Sequence, residues 1–174
     1  MLIEFAKLFA QRSTKVAILT ATLLTTQVGI SNAADCKLST RHWASMHHAV
    51  ISLHHKNGEE TELNVRIADE PRERAAGNQH ICPQVIDQNA ILFVYPSPQN
   101  SSFHMNNVHA ELDIGFFDSD GLLFLVMRMK PPLKGDSSSN IYSPGRDIKY
   151  ALETKAGYFA DQRLQPGEVT LKFH

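Results

Sequence analysis

Polar side chains that could bind a ligand or move a proton are concentrated in residues 103–113. Phe103 and Met105 alternate with His104 and Asn106, so an extended chain that buries the first pair turns the second pair to the opposite face. An imidazole, amides and carboxylates on one patch could hold a polar ligand or support proton transfer. The candidate ligand-binding residues of this segment are His104, Asn106, Asn107 and Asp113.

The same segment has two other interpretations. Asn107 and Asp113 could simply satisfy backbone groups of a tight connection between strands. Alternatively, His104 could be the base of an envelope-associated hydrolase, with Asp113 or Glu111 orienting its ring, which requires an imidazole–carboxylate contact of about 3 Å. The chain contains no Gly-x-Ser-x-Gly motif and no phosphate-binding loop, so we assign no catalytic residue.

A long loop rich in Ser, Gly and Asp is predicted over residues 133–147. Loops of this length inside a compact domain are often functional. Tyr142 and Arg146 in this loop could close over the polar patch, so we add them to the candidate ligand-binding residues. Surface decoration is the alternative.

Five of the nine histidines lie within fourteen residues near the start of the chain. Neutral imidazole is a common ligand of zinc and copper. On an extended strand His48 and His54 would be about 20 Å apart, too far to bind one ion. We therefore predict no metal site and no cofactor, and keep weak periplasmic zinc or copper binding as an alternative. The five are His42, His47, His48, His54 and His55.

The first 33 residues have the pattern of an export signal. Cationic residues precede an uncharged stretch, 16–30, and Ser31 and Ala33 are the small residues that a signal peptidase requires. The apolar stretch is shorter than the ~20 residues of a membrane-spanning helix. We expect cleavage after Ala33, a periplasmic or secreted protein and no membrane span after cleavage. An uncleaved anchor is the alternative.

Residues 34–174 are then long enough for one globular unit. The removed segment carries three cations and one carboxylate, so the net charge of −1 on the whole chain becomes −3 on this part. A mildly acidic domain has no excess of cations to neutralise phosphates, so we predict no nucleic-acid binding. We expect a monomer whose partner is a small ligand or an envelope protein.

The chain has two cysteines, Cys36 and Cys82. Two thiols in an oxidising compartment more often pair than stay free, so we predict a disulfide between them. Two free thiols are the alternative, and the absence of a Cys-x-x-Cys spacing argues against a redox-active dithiol.

Hydrophobic alternation and turn residues predict the secondary structure. Strand-like runs at 50–55 and 60–67 flank Asn57-Gly58, which indicates a hairpin with a type I′ turn. Pro71 begins a short helix that Gly77 ends, and residues 78–89 form a surface loop. The hairpin at 112–129 is nearly continuously apolar, which predicts burial on both faces. Further strands are expected at 90–95, 101–105, 148–153 and 168–173, with a short helix at 156–163.

These elements predict a mainly β, α+β fold: a compact antiparallel β-barrel or sandwich of seven or eight short strands with two short helices. The chain contains the motif Ser102-Phe103-His104-Met105-Asn106-Asn107. This motif and the ordered segments 65–77, 90–95, 112–114, 117–121, 142–145 and 150–153 together resemble the family called domain of unknown function 192 (DUF192). In place of the motif, the family usually has Ser-Phe-Trp-Met-Lys-Asn.

The resemblance implies a small β-rich domain, frequently exported, with no established activity. It divides the mature chain into an extension with a first strand, 34–62, and a DUF192-like domain, 63–174. His104 and Asn106 replace the family's tryptophan and lysine, so a ligand common to the family need not be the ligand here. The sequence is most consistent with a small-ligand-binding or accessory domain without catalytic activity.

Overall fold

The computed structural model describes residues 36–132 and 140–173. The predicted export signal and the part of the predicted loop at 133–139 lie outside these residues. The elements, in chain order, are α1 (Arg41–Ser45), β1 (His47–His55), β2 (Glu60–Ala68), α2 (Pro71–Ala76), α3 (Pro83–Ile86), β3 (Ala90–Gln99), β4 (Phe103–His104), β5 (Leu112–Phe117), β6 (Leu123–Met129), β7 (Ile141–Tyr142), β8 (Ile148–Lys155), α4 (Tyr158–Asp161) and β9 (Val169–Lys172).

Seven strands form one curled sheet in the order β6-β5-β8-β3-β2-β1-β9. Its two edge strands approach each other where Leu122 forms an antiparallel bridge with Thr170. The Leu171 N–H also donates to the Gly121 carbonyl at 2.8 Å. The sheet is therefore a half-barrel, while β4 and β7 pair separately. The predicted β-rich, barrel-like fold with short helices is confirmed.

The two faces of the sheet belong to two separate cores because side chains alternate along each strand. Leu92 and Leu152 pack in the core that also contains Leu171 of β9 and Phe159 of α4. Their neighbours Phe93 and Ala151 pack in the other core. That second core is covered by α1, α3 and the segment around β4, through Trp43, Ile81, Ile86, Phe103, Met105 and Val108. The candidate site lies on this covered face.

One pair of strands is parallel, unlike the wholly antiparallel sheet predicted. Val65 of β2 pairs in parallel with Ala90 of β3. Parallel neighbours need a crossover connection, and here residues 69–89 with α2 and α3 supply it. Part of this connection was predicted to be a surface loop, 78–89, and that prediction is wrong. Asn78, Ile81 and Cys82 within it are buried.

The β1–β2 turn is not the predicted type I′ turn, which requires two residues with positive φ. Only Gly58 has a positive φ there, at 90°. Its N–H donates to the His55 carbonyl at 3.0 Å, and the His55 N–H donates to the Glu59 carbonyl at 2.8 Å. The loop is therefore a three-residue hairpin connection with glycine in the left-handed position.

The described part of the chain begins with an ordered segment that contains the short helix α1, which the sequence analysis did not predict. Thr40 caps α1 by accepting a hydrogen bond from the Trp43 N–H at 3.4 Å. Trp43 is buried, and the Arg66 guanidinium lies 3.5 Å above its ring. A disulfide joins Cys36 to Cys82, as predicted. Beside it, the Lys37 N–H donates to the His80 carbonyl at 2.6 Å, so the extension is fastened next to α3.

Two strands differ in detail from the prediction. β3 continues to Gln99 through Pro96 and Pro98, with a register shift after Val94, because a bulge tolerates prolines that donate no hydrogen bond. Every residue of β5 is buried, as predicted, but most of β6 is only partly buried because β6 is an edge strand. No helix within the described residues has the length and apolar character needed to cross a membrane.

Candidate ligand-binding pocket

A pocket of about 150 Å³ lies between the end of α2, strand β3 and the segment around β4. We call it the α2–β4 pocket. Its lining consists of residues 74–79, Phe93 and Tyr95, residues 102–104, and Val108. The pocket therefore lies beside the segment that the sequence identified as chemically richest.

The end of α2 places Asn78 in this pocket. Glu70 and Glu73 form a capping box at the start of the helix, which satisfies N–H groups that a helix start leaves open. Gly77 ends the helix with a φ of 46°. A Cβ atom at this position would already be 3.5 Å from the Phe93 ring, so the chain turns close against β3. The next side chain, Asn78, is buried.

Asn78 and Glu153 form a buried polar pair. The Asn78 Nδ2 donates to Glu153 Oε2 at 3.1 Å, and both side chains are buried. The Asn78 Oδ1 is also buried and has no hydrogen-bond partner among the described residues. Buried acceptors are normally paired, because an unpaired one loses its hydration without compensation. Asn78 therefore contributes to the pocket lining, while its Oδ1 is an enclosed acceptor that no group of the described residues uses.

Glu153 lies in the middle of the sheet. Its register partners on β3 and β5 are Ile91 and Ile114, so apolar side chains flank it on the same face. Burial raises the pKa of Glu153 from its ordinary 4.5 to about 7, although the hydrogen bond from Asn78 acts in the opposite direction. Desolvation penalises the charged carboxylate, so Glu153 can change its protonation state near neutral pH.

Tyr95 and Arg74 form another part of the lining. The Arg74 guanidinium lies 5.3 Å from the centre of the Tyr95 ring. Its Nη1 donates to the Val94 carbonyl at 3.1 Å and also to the Asp69 carbonyl. Burial raises the pKa of the Tyr95 phenol, an effect opposed by a hydrogen bond with Ser101. The two backbone carbonyls thus fix the position of the Arg74 guanidinium through Nη1, which is one of its three nitrogen donors.

Of the predicted site residues, His104 lines the pocket, and Asn107 is bonded to a residue that does. The His104 Nδ1 accepts a hydrogen bond from the Asn106 N–H at 3.3 Å. The Asn107 Nδ2 donates to Gln79 Oε1 at 3.2 Å, and Gln79 is part of the lining. Asn106 is exposed and is not part of the lining. The structure brings His104 and Asn107 to one edge of the pocket.

Asp113 lies outside the lining and is occupied by other contacts. One of its oxygens accepts from Arg128 Nε, and the other accepts from the Gly157 N–H at 2.7 Å. Arg128 also reaches Glu111 at 3.4 Å. Among the described residues, no hydrogen bond or ion pair joins His104 to a carboxylate. The contact that the hydrolase interpretation requires is therefore not formed.

Tyr142 and Arg146 do not close over the pocket. Tyr142 pairs with Phe103 across the β4–β7 ladder, and its hydroxyl accepts a hydrogen bond from the Lys130 N–H at 2.9 Å. Arg146 lies 3.5 Å above the Phe124 ring and is 3.6 Å from Asp118. Tyr142 and Arg146 therefore contact other segments, and neither lines the α2–β4 pocket.

The histidines near the start of the domain are spread along its surface. His54 pairs with Glu60 at 3.7 Å, and His55 contacts Thr61 at 3.3 Å. Within 36–132 and 140–173, no three His, Cys, Asp or Glu residues are arranged to hold a metal ion.

Sequence reasoning missed Asn78, Glu153, Tyr95 and Arg74. A signal for Glu153 was present, because it shares a strand face with Ala151 in an otherwise apolar run, and a carboxyl on a core face is unusual. Asn78 gave no comparable signal. Its burial depends on how the crossover packs on the sheet, which the local sequence does not specify.

The class of domain described here is a half-barrel with helices over one face and a small polar pocket beside β4. The family model of DUF192, an uncharacterized ACR, matches residues 52–171. The chain belongs to this family, as the sequence motifs indicated.

Two solved structures have the same fold. One is described as a "putative transcription regulator" from Sinorhizobium meliloti 1021, with a TM-score of 0.63 and 23% identity over 74% of this chain and 95% of that one. The other is a protein of unknown function from Novosphingobium aromaticivorans DSM 12444, with a TM-score of 0.64 and 17% identity over 82% of this chain and 95% of that one. At these identities the likeness shows the fold alone.

One curated protein shares a shorter stretch of sequence. It is named "Putative phosphatase YxeH", from Bacillus subtilis (strain 168), and is 33% identical over 64 residues, which are 37% of this chain. The match spans 24% of the length of that protein.

Proposed function

We propose that this protein is an exported binding domain of the cell envelope that holds a small polar ligand in the α2–β4 pocket. The observation that carries the proposal is the lining of this pocket, in which the polar residues Arg74, Asn78, Gln79 and His104 lie around one cavity together with Phe93 and Tyr95. A few polar groups that converge in a pocket with aromatic walls are typical of small-ligand sites.

The size of the pocket restricts the ligand. Sites for drug-sized molecules usually enclose about 300–1,000 Å³, whereas this pocket has about 150 Å³. Because a water molecule occupies about 30 Å³ in the liquid, the pocket suits a small metabolite or one end of a longer molecule. The polar groups of Arg74, Gln79 and His104 can fix its orientation.

Export is the second part of the proposal. The cationic start, the uncharged stretch and the small residues at 31 and 33 support it. The Cys36–Cys82 disulfide also supports it, because structural disulfides persist mainly in oxidising compartments. Cell fractionation and mass spectrometry of the native protein test this part. An amino terminus at Ala34 in the periplasmic or secreted fraction is expected, and a cytoplasmic protein with an intact leader would contradict it.

Ligand binding is tested by thermal-shift screening of the purified protein against small amines, carboxylates, amino acids and sugars. A hit should raise the melting temperature of the wild type and have a smaller effect on His104→Ala. The matched control is His109→Ala, because His109 is exposed and does not line the pocket. Hits that act equally on both variants, or no hits at all, would contradict a binding role for this pocket.

A further inference from the structure

We infer that the disulfide between Cys36 and Cys82 is a redox-sensitive clamp for the α2–β4 pocket. Reduction of this bond by a dithiol releases one wall of the pocket while the sheet stays folded. This regulation rests on the proposed function, but its test needs no ligand, so either can fail without the other.

The disulfide holds the extension before α1 against residues 78–82, which connect α2 to α3. Beside it, the Lys37 N–H donates to the His80 carbonyl at 2.6 Å, and the Cys82 N–H donates to the Lys37 carbonyl at 2.9 Å. Residues 37–39 are exposed, so no buried side chain anchors this part of the extension. The disulfide is therefore the bond that keeps Lys37 beside the connection.

The same connection is bonded to the segment that follows β4. The His80 N–H donates to the Asn107 carbonyl at 2.7 Å, and the Asn107 Nδ2 donates to Gln79 Oε1 at 3.2 Å. Gln79 lines the α2–β4 pocket, and so does Val108, which follows Asn107. Hydrogen bonds therefore run from the extension at Lys37 through His80 to the wall of the pocket.

Two residues on this route have a strained backbone. The φ angles of His80 and Asn107 are 63° and 56°. A left-handed conformation is unfavourable for residues with a Cβ atom, less so for asparagine, and it persists where the surrounding structure enforces it. The His80 peptide groups are held on both sides, by Lys37 and by Asn107. Loss of the Lys37 side lets His80 relax to a negative φ, which turns its N–H away from Asn107.

Reduction proceeds by thiol–disulfide exchange with the dithiol. Cys36 is partly exposed, whereas Cys82 is buried, so the first thiolate of the dithiol attacks the Cys36 sulfur. The Cys82 thiolate leaves and takes up a proton, and a mixed disulfide remains at Cys36. The second thiolate of the dithiol then breaks this bond, and the Cys36 thiolate leaves and is protonated. Two electrons pass to the protein, and the dithiol becomes a disulfide.

The experiment is NMR spectroscopy of the isotope-labelled protein at low temperature, before and after addition of dithiothreitol. Backbone chemical shifts report φ and ψ for each residue. Reduction should abolish the left-handed shifts of His80 and Asn107 and change the shifts of Gln79 and Val108, while those of Leu152 in the sheet stay as they were. Failure of dithiothreitol to reduce the folded protein, left-handed shifts that survive reduction, or loss of the sheet signals would each overturn the inference.

The double variant Cys36→Ser/Cys82→Ser lacks the bridge in every buffer. It should show the shifts of the reduced wild type at residues 79–80 and 107–108 without any dithiol. A variant with the shifts of the oxidised wild type would show that the hydrogen bonds of Lys37 hold the wall unaided, and the disulfide would then be no clamp.

A glycine at position 80 tests whether local strain opens the wall. Glycine adopts a positive φ without a steric penalty, so reduced His80→Gly should keep the left-handed shifts of Asn107. The matched control is Arg163→Gly, because Arg163 also has a positive φ, 55°, but follows α4. Reduced Arg163→Gly should lose the Asn107 shifts as the wild type does. Equal rescue by both variants, or no rescue by His80→Gly, would overturn the role of His80.

Discussion

The Glu153 carboxyl meets the Asn78 amide at 3.1 Å in the core between the sheet and the crossover. The pair joins β8 to the end of α2 across a separation of 75 residues. Within the described residues Glu153 forms no ion pair, so the stability of the fold depends on the pH at which this buried carboxyl ionises.

The first prediction concerns the pH dependence of stability. The pKa of Glu153 rises from 4.5 to about 7 on folding, so the folded state holds more protons than the unfolded state between these values. Stability should therefore fall as pH rises from about 4.5 to 7, by up to about 3 kcal/mol from this group, and the loss should be complete above pH 7.

Urea unfolding of wild type and Glu153→Gln from pH 4 to 8 measures this effect. The variant should lack the pH dependence that Glu153 causes. Above pH 7 its free energy of unfolding should be larger than that of the wild type. Parallel stability curves for the two proteins would show that Glu153 is not protonated at neutral pH.

A second prediction separates Asp113 from the ligand site. Asp113→Asn removes the charge that Arg128 contacts and turns one acceptor into a donor near Arg128 or the Gly157 N–H. We expect a loss of about 2 kcal/mol in the free energy of unfolding, with unchanged ligand affinity. Asp87→Asn is the control because Asp87 is exposed. A folded Asp113→Asn protein with normal stability and lost binding would restore the role predicted from the sequence.

A third prediction concerns the disulfide. The bridge between Cys36 and Cys82 spans 46 residues, and closing such a loop stabilises the folded state by about 4 kcal/mol in the chain-entropy model. The double variant Cys36→Ser/Cys82→Ser should melt well below the oxidised wild type. Reduced wild type should behave like the variant, and equal melting temperatures for all three would contradict a stabilising role.

The fourth prediction tests packing in the interior of the half-barrel. A Cβ atom at Gly115 would overlap the Phe159 ring and lie 3.1 Å from Leu123 Cδ1. Gly115→Ala should cost about 1–3 kcal/mol through overpacking. The double variant Gly115→Ala/Phe159→Leu should recover part of this loss. An additive loss in the double variant would show that the two residues do not compete for space.

The sequence predicted those features that depend on local pattern. Hydrophobic alternation predicted a strand at 60–67, where β2 lies, because side chains on a strand have a period of two. Pro71 and Gly77 marked the ends of α2 for the conformational reasons that favour them at helix ends.

Features that depend on contacts between distant segments were not predictable. The sequences of β2 and β3 do not indicate that these strands pair in parallel, because their relative direction depends on how the crossover packs. The sequence could not decide whether Asp113 binds a ligand or satisfies backbone groups, because Gly157 and Arg128 contact it only in the folded sheet. Asn78 and Glu153 meet for the same reason, so the sequence did not predict that these two residues pair.

The position of β9 has a consequence for biosynthesis. Ser52 of β1 pairs with Lys172 of β9, so one edge of β1 has no neighbour until residues 169–172 have been made. Such distant pairing slows folding, and an uncovered strand edge can recruit the same strand of another molecule. Aggregation of the nascent chain should therefore increase with the time between the synthesis of β1 and its pairing with β9. A chaperone that covers the edge of β1 during this time should reduce aggregation.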